Sequence, residues 1–85
     1  MTKAPPVEFC SVSGELYSAS RIGPVAIGVV GRRYGAILKA LLPDWRQRAE
    51  TILADETWLR RNNGMTPGAV GEELFSALLL EIPVP

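Results

Sequence analysis

The hydrophobic pattern in the second half of the chain has the 3.6-residue period of α-helices. One helical face at the i, i+3, i+4 and i+7 positions is formed by Tyr34, Ile37, Leu38 and Leu41. This spacing predicts a first helix over residues 34–42, which Pro43 ends. A second apolar stripe predicts a longer helix over residues 44–61. The residues of that stripe are Trp45, Ala49, Ile52, Leu53 and Leu59.

A third helix is predicted over residues 67–81, after a break at the Asn-Asn-Gly sequence of residues 62–64. Thr66 has the side chain of an N-cap, and Pro67 suits the first helical position because an N–H group there has no helical partner. The polar side of this helix is narrow, so leucine and phenylalanine cover most of its circumference. Since one small core cannot bury both sides, we expect an exposed apolar surface on this helix.

The first third of the chain has a less regular pattern. Residues 1–6 are rich in proline and are expected to form a flexible lead-in. Residues 7–19 are compatible with two short strands joined by a turn at Ser13-Gly14. Residues 25–30 are apolar on both faces, which is typical of a buried strand, and a helix that begins at Pro24 is the alternative.

These elements predict a mostly α fold, a small three-helix domain preceded by an extended or β-like N-terminal third. A small α+β domain is the alternative. Residues 7–82 form the predicted single domain, and residues 83–85 form an extended tail.

A core of this size contributes on the order of a few kcal/mol to the free energy of unfolding, and Cys10, the only cysteine, cannot form a disulfide within the chain. We therefore expect a partner chain to add stability.

Composition narrows the classes of function. The chain has nine basic residues, nine acidic residues and no histidine. Its zero net charge gives no general attraction to nucleic acid or to an anionic membrane. Without histidine, neither the common zinc ligand sets nor a Ser-His or Cys-His pair can form. We expect no enzyme activity, no metal and no cofactor. The absence of a signal-like or membrane-spanning segment predicts a cytoplasmic protein with no membrane partner.

A glycine-spaced sequence lies between the apolar run and the first predicted helix. An apolar strand, a glycine-rich turn and a helix in this order resemble the opening of dinucleotide-binding oxidoreductases. The resemblance covers residues 25–42 and implies a phosphate site at Gly31, Arg32 and Gly35, where backbone N–H groups and a helix dipole would converge. The spacing of the glycines departs from the G-x-G-x-x-G pattern of that family, and no acidic residue ends a second strand about 20 residues later.

Two surfaces are candidates for binding a protein partner. On the wheel of the helix predicted over residues 44–61, Trp58 lies opposite the main apolar stripe and beside Arg61, a combination typical of interface hot spots. Burial of Trp58 by neighbouring helices of the same chain is the alternative. Phe75 and Leu79 belong to the excess apolar surface of the last helix.

The sequence therefore predicts a non-enzymatic interaction protein: a subunit, adaptor or inhibitor that binds a larger protein or a second copy of itself. The first alternative is a small nucleic-acid-binding regulator, in which Arg60 and Arg61 contact phosphates and the break at residues 62–64 forms a helix-turn-helix. The second alternative is phosphate or nucleotide binding at Gly31 to Gly35.

Overall fold

A computed structural model describes residues 6–84, so most of the predicted lead-in and the last residue of the tail lie outside the described residues. The fold is mostly α, with a short two-stranded antiparallel sheet near the N-terminus, as predicted. The elements in chain order are β1 (Glu8–Cys10), β2 (Leu16–Ser18), α1 (Ala19–Leu41), α2 (Trp45–Leu53), α3 (Glu56–Arg61) and α4 (Pro67–Leu79).

The predicted hairpin is confirmed. β1 pairs with β2 in an antiparallel register that places Phe9 opposite Tyr17. Gly14 in the connecting turn has a φ of +90°, a conformation that glycine adopts without steric cost. The Ser11 N–H closes the loop by donating to the Glu15 carbonyl at 2.9 Å. Phe9 is fully buried, so the hairpin contributes to the core that the helices share.

α1 replaces the strand that was predicted over residues 25–30. This prediction is wrong and the helical alternative is right, although the helix begins at Ala19, five residues before Pro24, and continues for 23 residues. Both faces of this run are apolar because α1 packs against α2, α4 and the hairpin. A helix covered on several sides has the same continuous apolar run as a buried strand, so the periodicity does not distinguish the two.

The single helix predicted over residues 44–61 is divided into α2 and α3. Asp55 is the N-cap of α3, and its carboxylate accepts hydrogen bonds from the N–H groups of Thr57 at 2.9 Å and Trp58 at 3.4 Å. This cap starts a new helix, so the residues after Asp55 are not in helical register with α2. Leu59 of the predicted stripe is nevertheless buried in the same core as Trp45, Ala49 and Leu53.

The predicted break between the last two helices is confirmed, and it also holds the hairpin. Gly64 has a φ of +82°, and its N–H donates to the Glu8 carbonyl at 2.8 Å. The Glu8 N–H donates in return to the Asn63 side-chain oxygen at 2.8 Å. Thr66 is the N-cap of α4, as predicted, because its hydroxyl accepts from the Ala69 N–H at 3.2 Å.

The core lies between α1, α2, α4 and the hairpin. α1 and α2 are antiparallel: Gly31 lies beside Trp45 at the start of α2, and Gly23 lies beside Leu53 at its end. α1 and α4 touch at Gly71, where an added Cβ would lie 2.6 Å from the Val29 side chain. The largest fully buried side chains are Phe9, Ile22, Val30, Leu38, Val70, Leu74 and Leu78.

Candidate protein-binding surface

A stacked aromatic pair joins α1 to α4. The rings of Tyr34 and Phe75 are parallel within 6°, with centroids 3.7 Å apart. The Tyr34 hydroxyl donates to a Glu72 carboxylate oxygen at 2.6 Å, and this hydrogen bond raises the pKa of the Tyr34 phenol above its usual value. The other oxygen of Glu72 lies 3.6 Å from the Arg33 guanidinium. Polar and aromatic contacts therefore fix the two helices side by side.

α1 and α4 run in the same direction at this contact. Gly71 of α4 lies against Val29 of α1, and four residues later Phe75 stacks on Tyr34, which is five residues after Val29. The residues that follow Tyr34 on α1 and Phe75 on α4 therefore extend toward the same end of the molecule.

Exposed apolar side chains continue both helices beyond the stack. Ile37 and Leu41 follow Tyr34 at the i+3 and i+7 positions and are each 52% exposed. Leu79 follows Phe75 at i+4 and is 44% exposed. We refer to Tyr34, Ile37, Leu41, Phe75 and Leu79 as the end patch. Phe75 and Leu79 are two of the four residues that the sequence predicts as partner contacts.

The segment after α4 also carries exposed apolar side chains and is held on the domain at its start. Leu80 is 88% exposed, and Val84 is also exposed. Between them, a Glu81 carboxylate oxygen accepts a hydrogen bond from Arg48 of α2 at 3.1 Å, and Ile82 packs against the core. These two contacts hold the start of the segment on the domain while Leu80 stays exposed.

Trp58 is half-buried, and its ring packs against the core. The Trp58 carbonyl also accepts a hydrogen bond from the buried Asn62 side chain at 2.9 Å. The predicted position of Trp58, opposite the apolar stripe, assumed one continuous helix over residues 44–61. The N-cap at Asp55 ends that continuity, which is why the wheel misplaced this side chain.

The structure does not bring Trp58 and Arg61 to the end patch. α3, which carries both, follows the end of α2 at which Leu53 lies beside Gly23 of α1. Ile37 is 14 residues further along α1, a distance of about 20 Å at the helical rise. The exposed Arg61 is therefore remote from the patch, and its role in partner binding stays a prediction.

The geometry predicted for a phosphate site at Gly31, Arg32 and Gly35 is wrong. Both glycines lie in the interior of α1, where their N–H groups belong to the helix and do not converge on a ligand. Gly31 instead accommodates the Trp45 ring, 3.6 Å from the position of an added Cβ. The Arg32 side chain is exposed on the surface of the helix. The resemblance to a dinucleotide-binding turn therefore has no counterpart in this fold.

The predicted nucleic-acid surface is divided between a paired and an exposed arginine. Arg60 donates to Glu56 at 2.6 Å, one turn earlier on α3, and Arg61 is exposed. In a helix-turn-helix, the second helix enters the DNA groove. Here that helix is α4, which carries Glu72 and Glu73 and no basic residue. The geometry gives this alternative no support.

Two surface grooves lie away from the end patch. One of about 520 Å³ runs between α1 and α2, with Gly23, Ile27 and Leu53 among its lining residues. The other, of about 420 Å³, lies between the hairpin, α1 and the start of α4, with Tyr17 and Arg32 among its lining residues.

Within residues 6–84, no group of three or more cysteine, aspartate or glutamate side chains could hold a metal ion. No helix of the described chain has both the length and the apolar composition to cross a bilayer.

The chain matches no protein-family model, no curated protein and no solved structure. The geometry of the end patch is therefore the basis for a proposed function.

The sequence pattern did not predict the exposure of Ile37 and Leu41, because it placed them with Leu38 on the core face of one helix. The sequence signal for their exposure was the width of that apolar stripe, since a small core covers only part of the circumference of a helix and leaves the edges of a wide stripe exposed.

Proposed function

We propose that this protein is a non-enzymatic interaction protein that binds another protein chain through the end patch. The observation that carries the proposal is the partial exposure of Ile37, Leu41 and Leu79, which extend from the half-buried Tyr34–Phe75 stack toward one end of the molecule. Burial of apolar surface stabilises a complex by about 25 cal/mol per Å² before the costs of association.

Scattered exposed apolar residues are ordinary on protein surfaces, whereas contiguous ones mark binding sites. Val12 in the hairpin loop is an example of the first kind, since it is almost fully exposed on a different element from the end patch. The end patch is of the second kind because helical spacing and one aromatic stack connect its five members. Val12 therefore provides a matched control for substitutions in the patch.

The rigidity of the aromatic pair in the patch also favours binding. Tyr34 and Phe75 are held by stacking and by the hydrogen bond to Glu72, so little side-chain entropy is lost when a partner covers them. Aromatic anchors surrounded by aliphatic side chains are the composition of interface hot spots. A partner with apolar side chains at helical spacing would complement this surface.

The test is affinity capture from a lysate of the source cells with three forms of the protein. The double variant Leu41→Asp, Leu79→Asp should lose the partners captured by the wild type, because two carboxylates would be buried without counter-charges. The variant Val12→Asp should keep them. Circular dichroism should show that all three forms have the same helix content.

Retention of the same partners by the double variant would contradict the proposal. Capture of nucleic acid that 0.5 M salt releases would instead favour the alternative at Arg60 and Arg61, because phosphate contacts weaken steeply with salt.

A further inference from the structure

The groove between α1 and α2 has the size of a small-molecule site. Its volume is about 520 Å³, within the range of about 300–1,000 Å³ that is usual for ligand pockets. Pro24, Ile27 and Leu53 give it an apolar floor. Gly23 and Gly28 also line the groove, and neither has a side chain to fill it.

Two charges of opposite sign on α2 line this groove and do not pair with each other. The Arg46 guanidinium lies over the Trp45 ring, 4.8 Å from its centroid, and one of its nitrogens is 3.5 Å from the position of an added Cβ at Gly31. Among the described residues, the side chains of Arg46 and Glu50 form no ion pair. The groove therefore presents a cation and an anion that are one helical turn apart, about 6 Å along the axis.

A backbone acceptor lies nearer the other end of the groove. Pro24 is inside α1 and has no N–H group, so the Ser20 carbonyl lacks the donor that a regular helix provides four residues later. Ser20 and Pro24 both line the groove, because residues four apart share one face of a helix. The Ser20 carbonyl can therefore accept a hydrogen bond from a ligand in the groove.

The contacts between the two helices give the order of these polar groups. Gly31 lies beside Trp45 and Gly23 lies beside Leu53, so each step forward along α1 corresponds to one step back along α2. Glu50 is then level with residue 26 of α1, six residues or about 9 Å after Ser20. Along the groove the order is a cation, an anion and, beyond the apolar floor, a carbonyl oxygen.

We infer that this groove binds a free aromatic α-amino acid whose side chain ends in a hydrogen-bond donor, as in tyrosine or tryptophan. Its carboxylate pairs with Arg46 and its ammonium group with Glu50. Its ring covers the apolar floor, and the donor at the tip reaches the Ser20 carbonyl. A zwitterion complements both charges, whereas a ligand with charge of a single sign meets a like charge at one of them. The site lies away from the end patch, so this inference does not rest on the proposed function.

The first experiment titrates the isotope-labelled protein with L-tyrosine and with L-tryptophan, followed by NMR. Both amino acids should bind saturably with a Kd at or below about 1 mM, and the amide signals of Gly23, Gly28 and Ala54 should shift. N-acetyl-L-tyrosine has no ammonium group and L-tyrosinamide has no carboxylate. Each analogue should bind about tenfold more weakly than L-tyrosine, because one charge in the groove loses its partner.

Substitutions of the two charges assign each end of the ligand. Arg46→Gln and Glu50→Gln should each weaken L-tyrosine binding about tenfold. Arg46→Gln should also bind L-tyrosinamide as well as it binds L-tyrosine, because the guanidinium that recognises the carboxylate is gone. Lys39→Gln and Glu73→Gln are matched controls that remove one charge of each sign at exposed positions outside the groove. Both controls should bind like the wild type.

The variant Pro24→Ala tests the third polar contact. The wild type should bind L-phenylalanine about fivefold more weakly than L-tyrosine, since L-phenylalanine leaves the Ser20 carbonyl without a donor. The alanine N–H restores the helical hydrogen bond to Ser20 and suits a helix interior. In this variant the preference for L-tyrosine should disappear, while circular dichroism should show that the helix content is kept.

The absence of saturable binding of either amino acid at a Kd of about 1 mM or below would overturn the inference. So would equal affinities of the wild type for L-tyrosine and its two analogues, or wild-type binding by Arg46→Gln and Glu50→Gln. A preference for L-tyrosine over L-phenylalanine that persists in Pro24→Ala would overturn the contact with the Ser20 carbonyl.

Discussion

At Gly71, the two helices that carry the end patch are close enough to exclude a side chain. An added Cβ would lie 2.6 Å from the Val29 Cγ1 atom, a distance at which backbone or side chain must shift. Gly35 on α1 is the opposite case, because no atom lies within 4 Å of its added Cβ. Alanine is therefore expected to clash at Gly71 and to fit at Gly35.

We expect Gly71→Ala to lower the free energy of unfolding by about 1–3 kcal/mol, because the methyl group overpacks the contact between α1 and α4. Gly35→Ala should raise it by about 0.5–1 kcal/mol, because alanine restricts the unfolded chain at a helical position with free space. Urea unfolding followed by circular dichroism measures both. Equal effects of the two substitutions would contradict the close approach at Gly71.

Tyr34 makes the stability depend on alkaline pH. Its pKa is raised in the folded state, chiefly by the hydrogen bond to Glu72, so its contribution is fully present below the unfolded pKa of about 10. The contribution is lost as pH rises through the higher folded pKa. Tyr17, whose pKa is raised chiefly by its hydrogen bond to Glu15, acts in the same direction.

The variant Tyr34→Phe should lose less stability than the wild type between pH 9 and about pH 11. In the wild type the unfolded state releases the Tyr34 proton at lower pH than the folded state does, whereas phenylalanine releases no proton in either state. Urea unfolding at several pH values measures the slope. Tyr17→Phe provides the comparison, since it should remove only the part due to Tyr17. Identical slopes for the wild type and both variants would show that neither hydrogen bond affects the alkaline limit.

At the scale of elements, one carboxylate decides where a helix begins. Asp55 caps α3 by accepting from the N–H groups of Thr57 and Trp58. Ser18 occupies the same position before α1, but its side chain makes no capping hydrogen bond. The two positions therefore separate the effect of a cap from that of a residue that merely precedes a helix.

Asp55→Ala should lower the free energy of unfolding by about 1 kcal/mol through loss of the cap, and Ser18→Ala should change it by less than half of that. Thermal and urea unfolding of the two variants measure the difference. The tryptophan emission of Asp55→Ala, to which Trp45 and Trp58 both contribute, should also shift to the red, because a frayed α3 exposes the Trp58 indole to water. A stability loss that is no larger for Asp55→Ala than for Ser18→Ala would contradict the capping role.

At the scale of the whole molecule, two leucines about one helical turn apart on α1 have different environments. Leu38 is fully buried in the core, whereas Leu41 is half exposed in the end patch. We expect Leu38→Ala to lower the free energy of unfolding by about 2–5 kcal/mol and Leu41→Ala to lower it by less than about 1 kcal/mol. Only Leu41→Ala should weaken association without loss of the fold.

Parallel measurements of urea unfolding and of partner capture from lysate check this prediction. A large stability loss in Leu41→Ala would mean that Leu41 is a core residue, and the end patch would lose its central member.

The sequence by itself determined the features that depend on a few neighbouring residues. Gly14 and Gly64 are in turns with positive φ, and Thr66 with Pro67 begins α4, as predicted. The reason is physical. Glycine adopts a left-handed backbone without steric cost, and a nearby hydroxyl caps an unpaired N–H group at the start of a helix, whatever packs around them. The sequence also has a capping residue at Asp55, but the apolar stripe that continues across this position favoured one uninterrupted helix.

Only the tertiary structure decided between strand and helix at residues 25–30, and which apolar residues remain exposed. A run covered by α2, α4 and the hairpin is apolar on every side in either conformation. Likewise, Ile37, Leu38 and Leu41 have similar side chains, but they lie at different angles around α1 and the rest of the fold covers them to different extents. Leu38 is fully buried, whereas Ile37 and Leu41 are half exposed. The end patch arises where that coverage stops, because exposure depends on the ends of other elements rather than on the residue itself.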